Sequence, residues 1–304
     1  MTRSVWNISS ACLLMAAFAG CSGKSSTQEH ALVALNRESP AEGVFDKSHQ
    51  LRELASSSLA NEFAAKLASF PQLAKLTLSG DQFGDQGLET LPALPDLTSL
   101  KLDGTQVTDA GLVHLAKFAK LTELTLAGCG VTDEGLKSLA SLTELRHLNL
   151  NKTQITGSGL PHLTVLGKLE YLSLQDTDLN FDQCPSLAGL KQLKTLHVSG
   201  TKVDGTIVRV LADLPALERL YLNDTHITDD DIVELANVLA AKTPKLKGLF
   251  FDRTKISDAS VNSFQPLSKL PELSLVHIIN TRISFDGHVK LRGILPDVNL
   301  MSTH

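Results

Sequence analysis

Seven leucines recur at intervals of 24 residues: Leu73, Leu97, Leu121, Leu145, Leu169, Leu193 and Leu217. Each opens an L-x-x-L-x-L pattern, such as Leu97, Leu100, Leu102 or Leu145, Leu148, Leu150, with Val198 once in the last place. Three further copies follow at altered spacing: Leu246-Leu249-Phe251, Leu273-Val276-Ile278 and Leu295-Val298-Leu300. A unit of 24 residues cannot bury its own leucines, whereas stacked copies share one continuous core. Side chains alternate along a strand, so the pattern turns the leucines inward and their neighbours outward. About ten strands are therefore expected in a repeating array.

The rest of each copy keeps the same phase. An apolar residue stands five places after the last strand residue: Phe83, Val107, Val131, Ile155, Leu179, Val203, Ile227, Ile256 and Ile283. Three places after it runs a ladder of Thr105, Thr153, Thr177, Thr201, Thr225, Thr254 and Thr281, interrupted by Asp81 and Cys129. A threonine there turns the chain out of the strand. Its hydroxyl satisfies buried backbone groups while its methyl joins the core. These threonines are structural, since no base is paired with them. Next come Val107-Thr-Asp-Ala-Gly-Leu112 and Val131-Thr-Asp-Glu-Gly-Leu136. The Thr-Asp pair suits a helix N-terminus, and the glycine two residues on lets the helix approach the core. Of 55 leucines, 51 follow position 50, and most have a place in this scheme.

These motifs over about residues 73–300 resemble the leucine-rich repeat family, in its short 24-residue classes. The resemblance implies an α/β fold: a curved right-handed leucine-rich-repeat solenoid with a parallel inner β-sheet and helices or short turns on the convex side. The copies opened by Leu217 and Leu246 carry five and three extra residues, late in the repeat. Insertions belong in exposed connections, so the inner sheet is the protected surface. Solenoid ends must be closed. Leu51, Leu54, Ala55, Leu59, Phe63, Leu67 and Phe70 form a helix-like stripe ending at Pro71, so residues 46–72 are expected as a helical N-terminal cap and 73–304 as the repeat domain. At the other end Pro296 should blunt the last strand. That C-terminal edge could make a weak dimer contact, an expectation that a purely monomeric mass at high concentration would remove.

The first residues read as an address. Arg3 is followed by an apolar run from Ala11 to Ala19, within the length of a signal-peptide core and too short to span a bilayer. Phe18-Ala19-Gly20-Cys21 resembles the lipobox of bacterial lipoproteins, with Phe18 in the place of the usual aliphatic residue. The resemblance implies that residues 1–20 are a signal peptide and that Cys21 is acylated and becomes the N-terminus. Residues 21–45 would then be a flexible tether. The implied location is a bacterial cell envelope, lipid-anchored, at the outer membrane or the periplasmic face. Cys129 and Cys184 fall at different places in the repeat and should be two free buried thiols.

Composition removes several functions. A net charge of −5 without a Lys/Arg cluster argues against a nucleic-acid partner. No G-x-S-x-G, H-E-x-x-H, C-x-x-C or phosphate loop occurs. The Asp176–Asp182 segment begins like a calcium loop but lacks its glycine and closing glutamate, and reads as a degenerate connector. No cofactor, metal or catalytic residue is expected.

Aromatics are only 5 % of the chain, and both tyrosines fall at outward positions of the inner strands. The candidate partner-binding face is Tyr171, His197, Arg219, Tyr221, Phe250 and His277, with His147 and Asn149 at its rim. Tyr and Arg dominate binding hot spots. The strands carrying these residues would span roughly 24 Å, enough for a peptide or a small domain. The histidines are too far apart along the sheet to converge on one metal ion. The expected function is a non-enzymatic protein- or peptide-binding module. The alternatives are a specificity subunit of an envelope enzyme whose catalytic part is another chain, and a structural or adhesive surface protein.

Overall fold

The computed structural model describes residues 5–7, 41–45, 50–184 and 186–303, in two compact units, residues 1–131 and 132–304. Most of the signal segment, Cys21 and the tether up to residue 40 lie outside the described residues.

The first unit contains strands β1 (Val5–Asn7), β2 (Ala41–Phe45), β3 (Leu51–Ser56), β4 (Lys75–Leu78), β5 (Ser99–Lys101) and β6 (Glu123–Thr125). β1 and β2, and β2 and β3, pair antiparallel, while β3 to β6 run parallel in chain order. Leu54, Leu76, Leu100 and Leu124 lie in register and are buried. The second unit contains β7 (His147–Asn149), β8 (Tyr171–Ser173), β9 (Thr195–His197), β10 (Arg219–Tyr221), β11 (Gly248–Phe250), β12 (Leu275–His277) and β13 (Asn299–Met301), all parallel. Leu148, Leu172, Leu196, Leu220, Leu249, Val276 and Leu300 form its central buried row. The ten expected strands are β4 to β13, but the last is shifted by two residues from its expected register. Leu300, expected in the third inward place, pairs with Val276 in the central one, and Val298, expected there, is only half-buried and precedes the strand.

Two expectations at the N-terminal end are corrected. Residues 51–56 are a strand, not the start of a helical cap, and a 3-10 helix at Asn61–Ser69 takes up the second half of the stripe. Leu51, Leu54 and Ser56 occupy the three inward places of an extra repeat strand. Serine in the third place and a spacing of 22 to Leu73 hide it from the leucine pattern. Ala55, counted in the stripe, is half-buried and stands beside Thr77 on the other side of the sheet. The last five residues of the expected tether form β2, and Val5–Asn7, inside the expected signal peptide, form the strand paired with it. At the other end, Pro296 precedes β13 by three residues, so it takes no donor from that strand.

Helices occupy the return path. The first unit has α1 (Asp85–Thr90) and α2 (Asp109–Leu112). The second has α3 (Leu136–Leu139), α4 (Val208–Leu211), α5 (Asp229–Lys242) and α6 (Phe285–Ile294). Short 3-10 turns such as Leu160–Val165 fill other copies. The five extra residues after Leu217 lengthen a helix and not a loop: α5 has 14 residues, started by a capping box between Thr228 and Asp231.

The threonine ladder does what its chemistry predicts. Each hydroxyl of Thr105, Thr153, Thr177, Thr201, Thr225, Thr254 and Thr281 donates to the carbonyl three residues earlier, at 2.6–2.9 Å. Cys129, in the same place, donates its thiol to the Leu102 carbonyl at 3.1 Å. Cys129 and Cys184 are free and buried. Burial pushes both thiols up, that of Cys184 to about 11, so neither is a reactive thiolate at neutral pH.

The Thr-Asp-x-Gly segment does more than cap a helix. Thr108 caps its own turn, accepting from Ala110 N–H. The aspartate place reaches into the next repeat, also in copies where Gly84 or Ser257 replaces the threonine: Asp85 accepts from the Thr108 amide and hydroxyl at 2.8 and 2.6 Å, and Asp229 and Asp258 do the same for Ser257 and Ser284. The recurring place of the glycine in successive copies follows from this. A Cβ on Gly111 would lie 2.3 Å from Asp85 Oδ1, and one on Gly287 would lie 2.0 Å from Asp258 Oδ1. Glycine seats the neighbouring carboxylate.

Candidate functional site

All eight candidate residues lie in the second unit, on its strands β7 to β12. Their side chains leave the sheet opposite the leucine row because they occupy alternate positions. The register divides them into two columns. His147, Tyr171 and Arg219 share one with Thr195, Gly248 and Leu275. Asn149, His197, Tyr221, Phe250 and His277 share the other with Ser173.

The second column brings four rings together. Centroids are 4.6 Å apart for His197 and Tyr221, 4.1 Å for Tyr221 and Phe250, and 4.7 Å for Phe250 and His277. Tyr221 and Phe250 are stacked within 10° of parallel. The strand spacing of about 4.8 Å sets this contact distance. Phe250 is a partial surprise, since it is only 8 % exposed. Its ring leans over Gly248, where a Cβ would lie 3.0 Å from Cε2. Glycine in that outward place, the only one among the copies from β4 to β13, was the sequence signal for this depression.

The remaining candidates are less closely joined. Tyr171 meets His147 at 6.1 Å and is not part of the four-ring ladder. Arg219 is exposed, and its guanidinium forms no hydrogen bond or ion pair with the described residues. Asn149 turns its side chain to the backbone, accepting from Asn151 N–H at 3.0 Å. His147, His197 and His277 stand on β7, β9 and β12, with other strands between them.

The next outward place of each strand is structural in a way the sequence did not disclose. Asn151, Asn223 and Asp252 each accept an amide N–H from the following copy, at Gln175, Asp252 and Ile279. The second oxygen of Asp252 faces His277 Nδ1 at 3.5 Å. Burial pushes the His197 imidazole down and the charge of Asp176 pulls it up. Burial prevails, so His197 is neutral at pH 7. A charge ladder borders the strand starts: Glu170 binds Arg146 at 2.5 Å and Lys194 at 2.6 Å, and Glu218 binds Lys247 at 3.0 Å.

The first unit offers a different surface. A cavity of about 270 Å³ is lined by Glu53, Lys75, Ser99, Lys101 and Glu123 among others. Four of its charges are matched internally, Lys75 with Glu53 at 3.2 Å and Lys101 with Glu123 at 2.8 Å, and Glu42 lines it as well.

A model of the leucine-rich repeat region family matches residues 108–301, nearly two thirds of the chain, and a second leucine rich repeat model matches residues 93–116. Internalin C2 from Listeria monocytogenes is 25 % identical over 79 % of this chain and 84 % of that one, with a TM-score of 0.48. Internalin InlF from the same organism is 15 % identical over 83 % and 86 %, with a TM-score of 0.42. The structure of a TLR13–ssRNA13 complex is 21 % identical over 80 % of this chain and 34 % of that one, with a TM-score of 0.56, a likeness of fold. No curated protein matches.

Proposed function

The chain belongs to the leucine-rich repeat family, and from that premise we propose that it is a non-enzymatic binding module for a protein or peptide, held to a bacterial envelope membrane by lipid on Cys21. The observation that carries the binding reading is the stacked row of His197, Tyr221, Phe250 and His277, with the exposed Arg219 beside it. A set of preformed rings holds its contact surface at little entropic cost. Tyr and Arg are enriched among residues that dominate binding energy.

Crosslinking of envelopes, with recovery of partners, tests this face. Replacing Tyr171 and Tyr221 together by Ala is expected to reduce partner recovery about tenfold or more, as loss of a hot spot does. Unchanged recovery from a folded double variant would sink the concave-face reading.

The anchor rests on the signal layout before Cys21 and on the residues after it. Residues 22–40 precede β2 and give the lipid a reach of roughly 60 Å if extended. More than one acyl chain is needed for stable attachment, and lipoprotein modification supplies several. Cys21→Ser is expected to move the protein from the membrane fraction to the soluble fraction. A wild-type protein that is already soluble and carries no lipid mass would remove the anchor from the proposal.

A further inference from the structure

Stacking has a consequence for what the ring row can hold. Tyr221 and Phe250 each cover one face of the other by stacking, and each has a second ring tilted against it, His197 at 4.6 Å and 50° and His277 at 4.7 Å and 47°. A ligand reaching these two rings meets edges. An aromatic ring is negative on its face and positive at its edge. Cations and stacked bases need a free face; stacking closes one face of Tyr221 and one of Phe250, and a tilted histidine stands against each of these rings in addition. Edges, together with the Tyr221 hydroxyl, suit carbonyl and carboxylate oxygens.

The charges of the same surface agree. Neither outward column from β7 to β13 contains an Asp or Glu, and Arg219 is the one Lys or Arg in them. It is exposed, without an ion pair to a described residue, and two residues from Tyr221 on the same strand and the same face. The nearest acid in the following place, Asp252, has one oxygen on the Ile279 amide and the other against His277. Asp224 at the adjoining turn is held by both arms of Arg253, at 2.6 and 2.5 Å. On the bordering charge ladder, Glu170 pairs with Arg146 and Lys194, and Lys247 is shared by Glu218 and Glu272. The two columns therefore hold one cation, Arg219, which feels the charge of its chain neighbour Glu218 but forms no ion pair with it, and no anion, with Asp176 bordering them near His197, on a chain whose net charge is −5.

We propose that this face binds an extended acidic segment of a partner protein, with a carboxylate on Arg219 and backbone or side-chain oxygens along the edges of Tyr221 and Phe250. The proposal rests on the concave-face reading above and adds the chemistry of the partner.

Fluorescence anisotropy of the full chain with three labelled peptides tests it: repeats of Gly-Glu-Ser, Gly-Gln-Ser and Gly-Lys-Ser. The expected order of affinity is acidic, then neutral, then basic. The overall negative charge works against that order, so non-specific attraction cannot produce it. Arg219→Ala is expected to weaken the acidic peptide about tenfold or more, the scale of one charge-assisted hydrogen bond. Arg219→Lys should keep part of the preference, and Arg219→Glu should abolish or invert it. A basic peptide bound as well as the acidic one, an acidic preference indifferent to Arg219→Glu, or no acidic binding at about 1 mM peptide would overturn the proposal. Failure here is distinct from failure of the concave face. If the tyrosine double variant loses the partner but the acidic peptide is not preferred, the face stands and only its acidic chemistry falls.

Discussion

Asp133→Ala is expected to cost the second unit about 3–5 kcal/mol, since one carboxylate there serves four donors and charged hydrogen bonds contribute about 1.5–3 kcal/mol each without adding fully. Its Oδ2 accepts from the Thr156 amide and hydroxyl at 2.9 and 2.7 Å, and its Oδ1 from the Gly157 and Gly159 amides at 3.1 and 2.8 Å. Removing it orphans backbone donors of the next repeat. Gly159 leaves no room for repair by a larger neighbour, because its Cβ would lie 2.4 Å from the Asp133 carbonyl oxygen. Urea unfolding followed by tyrosine fluorescence reads this unit, which holds both tyrosines. A midpoint change worth less than about 1 kcal/mol would show that the joint is not a major tie.

The same carboxyl gives a pH signature. Burial pushes Asp133 up, but the Thr156 hydroxyl and the Gly159, Thr156 and Gly157 amides outweigh it and hold the group below the usual range. Asp229 and Asp258 are also held low, Asp258 chiefly by the Ser284 hydroxyl, and Asp229 by Ser257 and Ser260 against the opposing effect of burial. A depressed carboxyl contributes stability above its unfolded pKa, and that stability is lost as pH falls through the folded value. The wild type should therefore lose stability on acidification below about pH 4 more steeply than Asp133→Asn, which cannot titrate there.

Phe251→Ala is expected to lower stability by about 3–5 kcal/mol through a core cavity. Phe251 is 1 % exposed and meets Phe264 edge-on, with centroids 6.0 Å apart. Its place in the repeat is leucine, valine or isoleucine in most other copies. Phe251→Leu should recover much of the loss while leaving Phe264 under-packed. The check is the denaturation midpoint of both variants at unchanged m, and equal midpoints for Ala and wild type would contradict the packing described here.

Legibility differed sharply between the inward and outward halves of each strand. The inward half was readable because a period of 24 repeats the same burial demand in every copy. The threonine ladder was readable for the same reason, and all seven hydroxyls found the expected kind of partner. β3 escaped because Ser56 replaces the third leucine, and the helix-like spacing of Leu59, Leu67 and Phe70 continues backward through Leu51 and Leu54. The reach of Asp133 and Asp229 into the following repeat escaped because a Thr-Asp pair looks the same whether it caps its own helix or the next one.

The candidate face shows the same division. Position along the strand placed Tyr221, Phe250 and His277 outward, and they are outward. Position could not say that Phe250 would be 8 % exposed, that Tyr171 would stand apart from the ladder, or that Asn149 would turn to the backbone. The sequence by itself determined the strand register and the buried row from β4 to β12, because a two-residue alternation inside a regular period admits one inward solution; in the last copy, where the period breaks, the register moved by two residues. Tertiary structure alone decided how the outward rings present themselves. Their contacts are between residues 24 to 29 positions apart, and they depend on the slot left by Gly248 and on side-chain torsions that no periodicity encodes.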